Sequence, residues 1–99
     1  MIAILWEYSV PRENLAEFER HYDSSGTWVN FFRRAASYHG TVLLRDPDTP
    51  GRFMTLDHWD SLDSYHSFCA EHEAEYRRID ALCATLTDSE RSLGIFHVL

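Results

Sequence analysis

Apolar residues fall on every second position at the start of the chain: Ile2, Ile4, Trp6, Tyr8 and Val10 share one parity, and Ala3, Leu5, Glu7 and Ser9 the other. Strand side chains alternate between faces, so this pattern predicts a first strand with one strongly apolar side, ended by Pro11. The spacing then turns helical. Leu15, Phe18 and Tyr22 recur at helical intervals until Asp23-Ser24-Ser25-Gly26 interrupts them. Thr27 is the expected N-cap of a second helical piece that carries Trp28, Phe31, Phe32 and Ala35 inward. Tyr38 to Arg45 and Arg52 to Trp59 read as two strands joined through the turn-forming run Asp46-Pro47-Asp48-Thr49-Pro50-Gly51.

At Trp59 the period changes once more. Phe53, Thr55, Asp57 and Trp59 lie on one strand face, and Asp60 or Ser61 is placed to cap the helix that follows. The stripe Tyr65, Phe68, Cys69, His72, Tyr76, Ile79, Cys83 and Leu86 predicts that this helix is the longest element of the chain. Thr87-Asp88-Ser89-Glu90 fits a capping box opening one last helical turn, and Leu93 to Leu99 a closing strand. The order is therefore βαββαβ, an α+β ferredoxin-like single domain over residues 1–99, with a four-stranded antiparallel sheet and its helices on one face. Ala3, Leu5, Met54 and Leu56 fall on the other face, and no third helix remains to cover them. A homodimer that packs two sheets together would bury them.

Composition narrows the function classes. The 99 residues are 44% hydrophobic and 14% aromatic, enough for one small core. A formal charge of -7 opposes nucleic-acid binding, which needs clustered Lys and Arg. Cys69 and Cys83 form no CxxC or four-ligand pattern and read as buried thiols of a reducing compartment. The N-terminus has neither the basic region nor the apolar run of a secretory signal, so a cytoplasmic protein without membrane association is expected.

These residues resemble the antibiotic biosynthesis monooxygenase family of dimeric α/β-barrel proteins. The resemblance rests on Trp6-Glu7-Tyr8-Ser9-Val10-Pro11, on Gly40-Thr41-Val42-Leu43-Leu44-Arg45-Asp46, on Trp59-Asp60-Ser61 with Tyr65 and Phe68, and on Thr87, Glu90 and Gly94. It implies a homodimer whose sheets form a shared barrel, with a pocket in each subunit between sheet and helices. Some members oxidise aromatic polyketides with O2 using neither metal nor flavin, some degrade haem, and others have no established activity. Trp59 matches the family's Trp at the end of the third strand, and Tyr65 matches a Tyr that lines the pocket of the polyketide-oxidising members. Thr55 stands where those members have an Asn, and their pocket Arg has no counterpart here. The haem-degrading members place their pocket Asn near Trp6, their helix Trp at Phe68 and their haem-ligating His near Arg78, so the resemblance does not extend to a haem site.

Oxygenation without a cofactor needs an electron-rich aromatic substrate, a group to take its proton and a dry pocket. Trp6, Tyr8, Trp28, Phe32, Phe53, Thr55 and Phe68 are the candidate lining, with Tyr65 and Trp59 to orient the substrate. His72 and Asp57 are the candidate bases, His72 because histidine titrates near neutral pH and Asp57 because burial would raise its pKa. His66, Cys69 and His72 spread around the helix rather than converging on one ion, and no dinucleotide or phosphate-binding motif occurs. No metal, flavin or haem is expected. The reading is a monooxygenase-like homodimer for a small aromatic ligand; its alternative is a non-catalytic ligand-binding or structural dimer in which the aromatic stripe is simply core.

Overall fold

The computed structural model describes residues 1–99. Its strands are β1 (Ile2–Ser9), β2 (Tyr38–Arg45), β3 (Arg52–Trp59) and β4 (Ser89–His97). A 3-10 turn (Arg12–Asn14) leads into α1 (Leu15–Tyr22) and α2 (Thr27–Phe32), while α3 (Leu62–Glu71) and α4 (Glu73–Ala84) join β3 to β4. The sheet order is β2-β3-β1-β4 with every neighbouring pair antiparallel, the expected α+β ferredoxin-like fold. No helix is long and apolar enough to cross a membrane.

Register decides which side chains meet. In the central pair, Ile2, Ile4, Trp6 and Tyr8 stand opposite Trp59, Asp57, Thr55 and Phe53. That face carries the core, in which Phe18 and Trp59 are fully buried and Phe53 and Cys83 nearly so. Burying aromatic side chains of this size is the main stabilising contribution in so small a domain.

Three local readings are corrected. The helix expected to run from Tyr65 to Leu86 breaks at His72, whose φ of -115° and ψ of 36° leave the helical region, so it becomes α3 and α4. The backbone bonds His72 N–H to Phe68 O and Tyr76 N–H to His72 O, both 3.0 Å, hold the two segments together. Thr27 is the first residue of α2 rather than its cap, and its hydroxyl bonds His21 Nδ1 at 2.7 Å. No helical turn forms over Thr87 to Glu90; β4 begins at Ser89, where pairing of Ser89 and Glu90 with Ser9 and Tyr8 supplies the backbone partners a turn would otherwise provide. β2 and β4 are not regular strands, since the register slips between Tyr38 and Gly40 in one, and in the other between the partners of Leu5 and Trp6.

Ser61 is the cap of α3. Its Oγ accepts the Ser64 N–H at 3.1 Å, and Ser64 Oγ accepts the Ser61 N–H at 3.2 Å, a reciprocal capping box. This fixes where α3 leaves the sheet, and with it the placement of Tyr65. Gly51 closes the β2–β3 turn at φ +83°, where a Cβ would lie 2.4 Å from Val10 O. Only glycine fits there.

Candidate functional site

A cavity of about 170 Å³ lies between the sheet and the helices. Its floor is formed by Trp6 and Tyr8 from β1, Thr41 from β2, Thr55 and Asp57 from β3, and Glu90 from β4. Its roof is Tyr22 from α1, Trp28 and Phe32 from α2, Tyr65 from α3, and Tyr76 and Asp80 from α4. Asp80 and Glu90 are the exposed members of the lining and mark the mouth, while Tyr8, Tyr22, Phe32 and Thr55 are buried. An engineered cavity of about 150 Å³ accepts benzene, so one aromatic ring fits inside this one and a larger molecule must extend through the mouth.

The walls are aromatic and mutually braced. Tyr22 meets Tyr8 edge-on at 4.9 Å, Trp28 stacks on Phe32 at 5.5 Å, and Tyr76 leans on Trp28 at 5.3 Å. Aromatic pairs at such distances add stability beyond their buried area and stiffen the cavity. Burial pushes the phenols of Tyr8, Tyr22 and Tyr65 far above their ordinary range, so they remain neutral hydrogen-bonding groups.

Asp57 is the carboxylate of the inner wall. Burial raises its pKa from 3.8 to about 6, against the opposing effect of a hydrogen bond from Thr41. Thr41 Oγ1 donates to Asp57 Oδ1 at 2.5 Å and lies 2.5 Å from the Tyr38 hydroxyl. Since Thr41 has one proton and gives it to Asp57, the Tyr38 phenol must donate to Thr41. The result is a chain from Tyr38 through Thr41 that engages one oxygen of a carboxylate lining the cavity.

A strand irregularity makes that chain possible. Tyr38 and Thr41 lie three positions apart and would face opposite sides of a regular strand. The bulge at His39 and Gly40 restores them to one face, opposite Trp59 and Asp57 respectively. Gly40 takes φ +123° there, a conformation that side chains with a Cβ rarely adopt.

The model of the antibiotic biosynthesis monooxygenase family matches residues 1–79. The chain belongs to that family. Among solved structures it is similar to SnoaB, a cofactor-independent oxygenase from Streptomyces nogalater, at 18% identity and a TM-score of 0.80, covering 99% of this chain and 92% of the other. A crystal structure described as antibiotic biosynthesis monooxygenase matches at 17% identity, with coverage of 100% and 99% and a TM-score of 0.75. A conserved protein from Methanosarcina mazei Go1 matches at 13% identity, with coverage of 99% and 92% and a TM-score of 0.79. At such identities the likeness concerns the fold. No protein with a curated description matches the chain.

Within this member of the antibiotic biosynthesis monooxygenase family, seven of the residues singled out from the sequence, Trp6, Tyr8, Trp28, Phe32, Thr55, Asp57 and Tyr65, border the one cavity. Four others do not. Trp59 is 0% exposed and lies beneath Tyr65, ring centroids 5.3 Å apart, so it supports the wall without reaching the space. Phe53 packs on Phe18 at 5.0 Å and Phe68 on Phe31 at 5.0 Å, both within the core. His72 sits at the break between α3 and α4, against Phe68 at 4.6 Å, outside the lining. It does not border the cavity.

Sequence reasoning missed five lining residues. Tyr22 and Tyr76 belong to helical stripes read as core, and Asp80 follows Tyr76 by one helical turn, a spacing that does point to a shared face. Thr41 and Glu90 come inward through the two strand irregularities, which the alternation of residues does not announce. No three His, Cys, Asp or Glu side chains are arranged to hold a metal ion.

Proposed function

We propose that the protein is a cofactor-independent monooxygenase acting on a small aromatic molecule of the quinol or polyketide type, with Asp57 as the base and Tyr65 orienting the ring. The observation that carries this reading is a carboxylate whose pKa is raised to about 6 on the inner wall of an aromatic cavity. A base of that strength is ionised at neutral pH yet strong enough to take a proton from an activated phenol or ring methylene. In the proposed sequence Asp57 removes the proton and the carbanion passes one electron to O2. The two radicals combine to form a carbon–oxygen bond, and loss of water from the protonated peroxide leaves a carbonyl. Substrate CH2 and O2 become C=O and H2O, so no outside reductant is consumed. The aromatic walls keep bulk water from the reactive anion.

The assembly is part of the proposal. Val42 and Leu44, each 44% exposed, and Phe96, 52% exposed, extend the apolar sheet face formed by Leu5, Met54 and Leu56. Ala3 is already buried within the chain, between His58 and Phe96 of the neighbouring strands. A face of this kind on a small domain favours pairing with a second copy, and a homodimer with facing sheets supports the reading.

The test is oxygen consumption with a panel of anthrones and hydroquinones, comparing wild type with Asp57→Asn. Uptake by wild type that falls at least about a hundredfold in the variant supports a base at this position. Equal uptake by both removes Asp57 from the chemistry. Tight binding of the panel without uptake points instead to a ligand-binding dimer.

A further inference from the structure

Resting on the reading above, we propose that the substrate is a single-ring quinol, and that Trp28 and Tyr76 in the cavity roof exclude molecules with fused rings. The cavity holds about 170 Å³, close to the size of an engineered cavity of about 150 Å³ that takes up benzene. One ring therefore fills it. A second ring fused to the first would have to displace a wall or leave through the mouth.

Both routes are unfavourable. Tyr22 stacks on the fully buried Phe18 at 4.2 Å with the ring planes 17° apart, and Phe32 meets the fully buried Trp59 edge-on at 5.4 Å. Moving either wall would break close-packed contacts of the core. Trp28 and Tyr76 are half-buried, lie 5.3 Å apart and close the roof between α2 and α4, so they are the side chains whose bulk sets the room above the ring. At the mouth a fused ring would lie against Asp80 and Glu90. Partial burial and the charge of Asp80 already raise the pKa of Glu90, and apolar surface placed there would strip further water from both carboxylates. A short polar substituent avoids that cost.

A quinol satisfies the chemistry within this size. In its dione tautomer a ring CH2 stands beside a carbonyl, where Asp57 can remove a proton. Oxygen adds at that carbon, and loss of water from the protonated peroxide leaves a third carbonyl. Quinol and O2 become a hydroxyquinone and H2O, so the atoms balance without an outside reductant.

The experiment follows oxygen uptake with methylhydroquinone, 1,4-dihydroxynaphthalene and 1,8-dihydroxyanthrone, which carry one, two and three rings, each rate corrected for the reaction without protein. The expected result for wild type is a kcat/KM that falls at least about tenfold with each added ring. Trp28→Ala opens the roof from α2 and Tyr76→Ala from α4, so each should raise kcat/KM for the two-ring substrate about tenfold while lowering it for methylhydroquinone, which then sits loosely. Melting curves identify a variant that fails to fold, and the other then carries the comparison. Equal turnover of the larger substrates by wild type overturns the one-ring limit and leaves the oxygenase reading standing. A folded variant with an enlarged roof and no gain on the two-ring substrate overturns the role of these side chains. If wild type consumes oxygen with none of the three, the oxygenase reading itself fails.

Discussion

Thr41 donates its hydroxyl proton to Asp57 across the β2–β3 pair, where the two residues are direct register partners. The bond stabilises the ionised carboxylate, while burial destabilises it, and burial is the larger effect. Removing the donor should therefore raise the carboxylate's pKa further. In Thr41→Val, the pH at which turnover reaches half its plateau should move up by roughly one unit, because hydrogen bonds to charged groups are worth about 1.5–3 kcal/mol. A pH profile of oxygen uptake checks this; a profile that does not move would mean that Asp57 is not the titrating base.

Asp57 also ties stability to pH. Its folded pKa of about 6 lies above its ordinary 3.8, so the folded state holds the proton more tightly. Below both values neither state carries the charge and folding incurs no penalty. As pH rises through this window the buried charge costs stability, and the full cost is present above about 6. Asp57→Asn should accordingly be more stable than wild type at pH 8, by about 1–2 kcal/mol, with the gain vanishing near pH 4. Thermal melts at the two pH values provide the comparison, and a variant that is less stable at pH 8 would contradict the account.

Tyr65 and Trp59 touch one another but should respond to substitution in opposite ways. Tyr65→Phe retains the ring that packs on Trp59 and Phe32 and removes a hydroxyl at the cavity wall. Its melting temperature should stay within about 2 °C of wild type while ligand binding weakens. Trp59→Ala removes a fully buried side chain in contact with Phe32, Tyr38, Tyr65 and Phe68, and should cost about 3–5 kcal/mol. His72→Ala, outside the lining, should leave binding unchanged. Melting curves alongside titrations of one ligand separate the three outcomes.

The open sheet face predicts a dimer that a single charge disrupts. Leu56 lies at its centre, flanked by Leu5 and Val42 on the neighbouring strands. Leu56→Asp would bury an unpaired carboxylate in a sheet-to-sheet contact and should shift the protein from dimer to monomer in light scattering at micromolar concentration. A wild-type monomer under those conditions would refute the proposed assembly.

Much of the fold could be read from alternation and helical spacing, because the apolar parity of β1 and β3 agrees with the face they bury. The breakdowns share a physical cause. Alternation assumes that every residue advances a strand by one step, and the bulges in β2 and β4 violate that assumption at Thr41 and Glu90. Helical spacing likewise groups Tyr65, Phe68 and His72 on one stripe, but cannot separate a side chain facing a void from one packed beneath it. Trp59 illustrates the difficulty: its composition and place suited a site, and three-dimensional packing put Tyr65 between it and the space.

The bulge before Thr41 makes the site sensitive to counting as well as to chemistry. His39 is an exposed side chain, and a scan of substitutions would pass over it as a tolerant surface position. Drawing it into the strand pairing would be another matter. If His39 paired as an ordinary strand residue, strict alternation would resume from Tyr38, Val42 would turn toward the cavity, and the hydroxyl that steadies Asp57 would turn away. A member of this fold can thus lose its proton acceptor's support without any change to the acceptor, its partner or the walls around them, through the smoothing of one bulge whose side chains take no part.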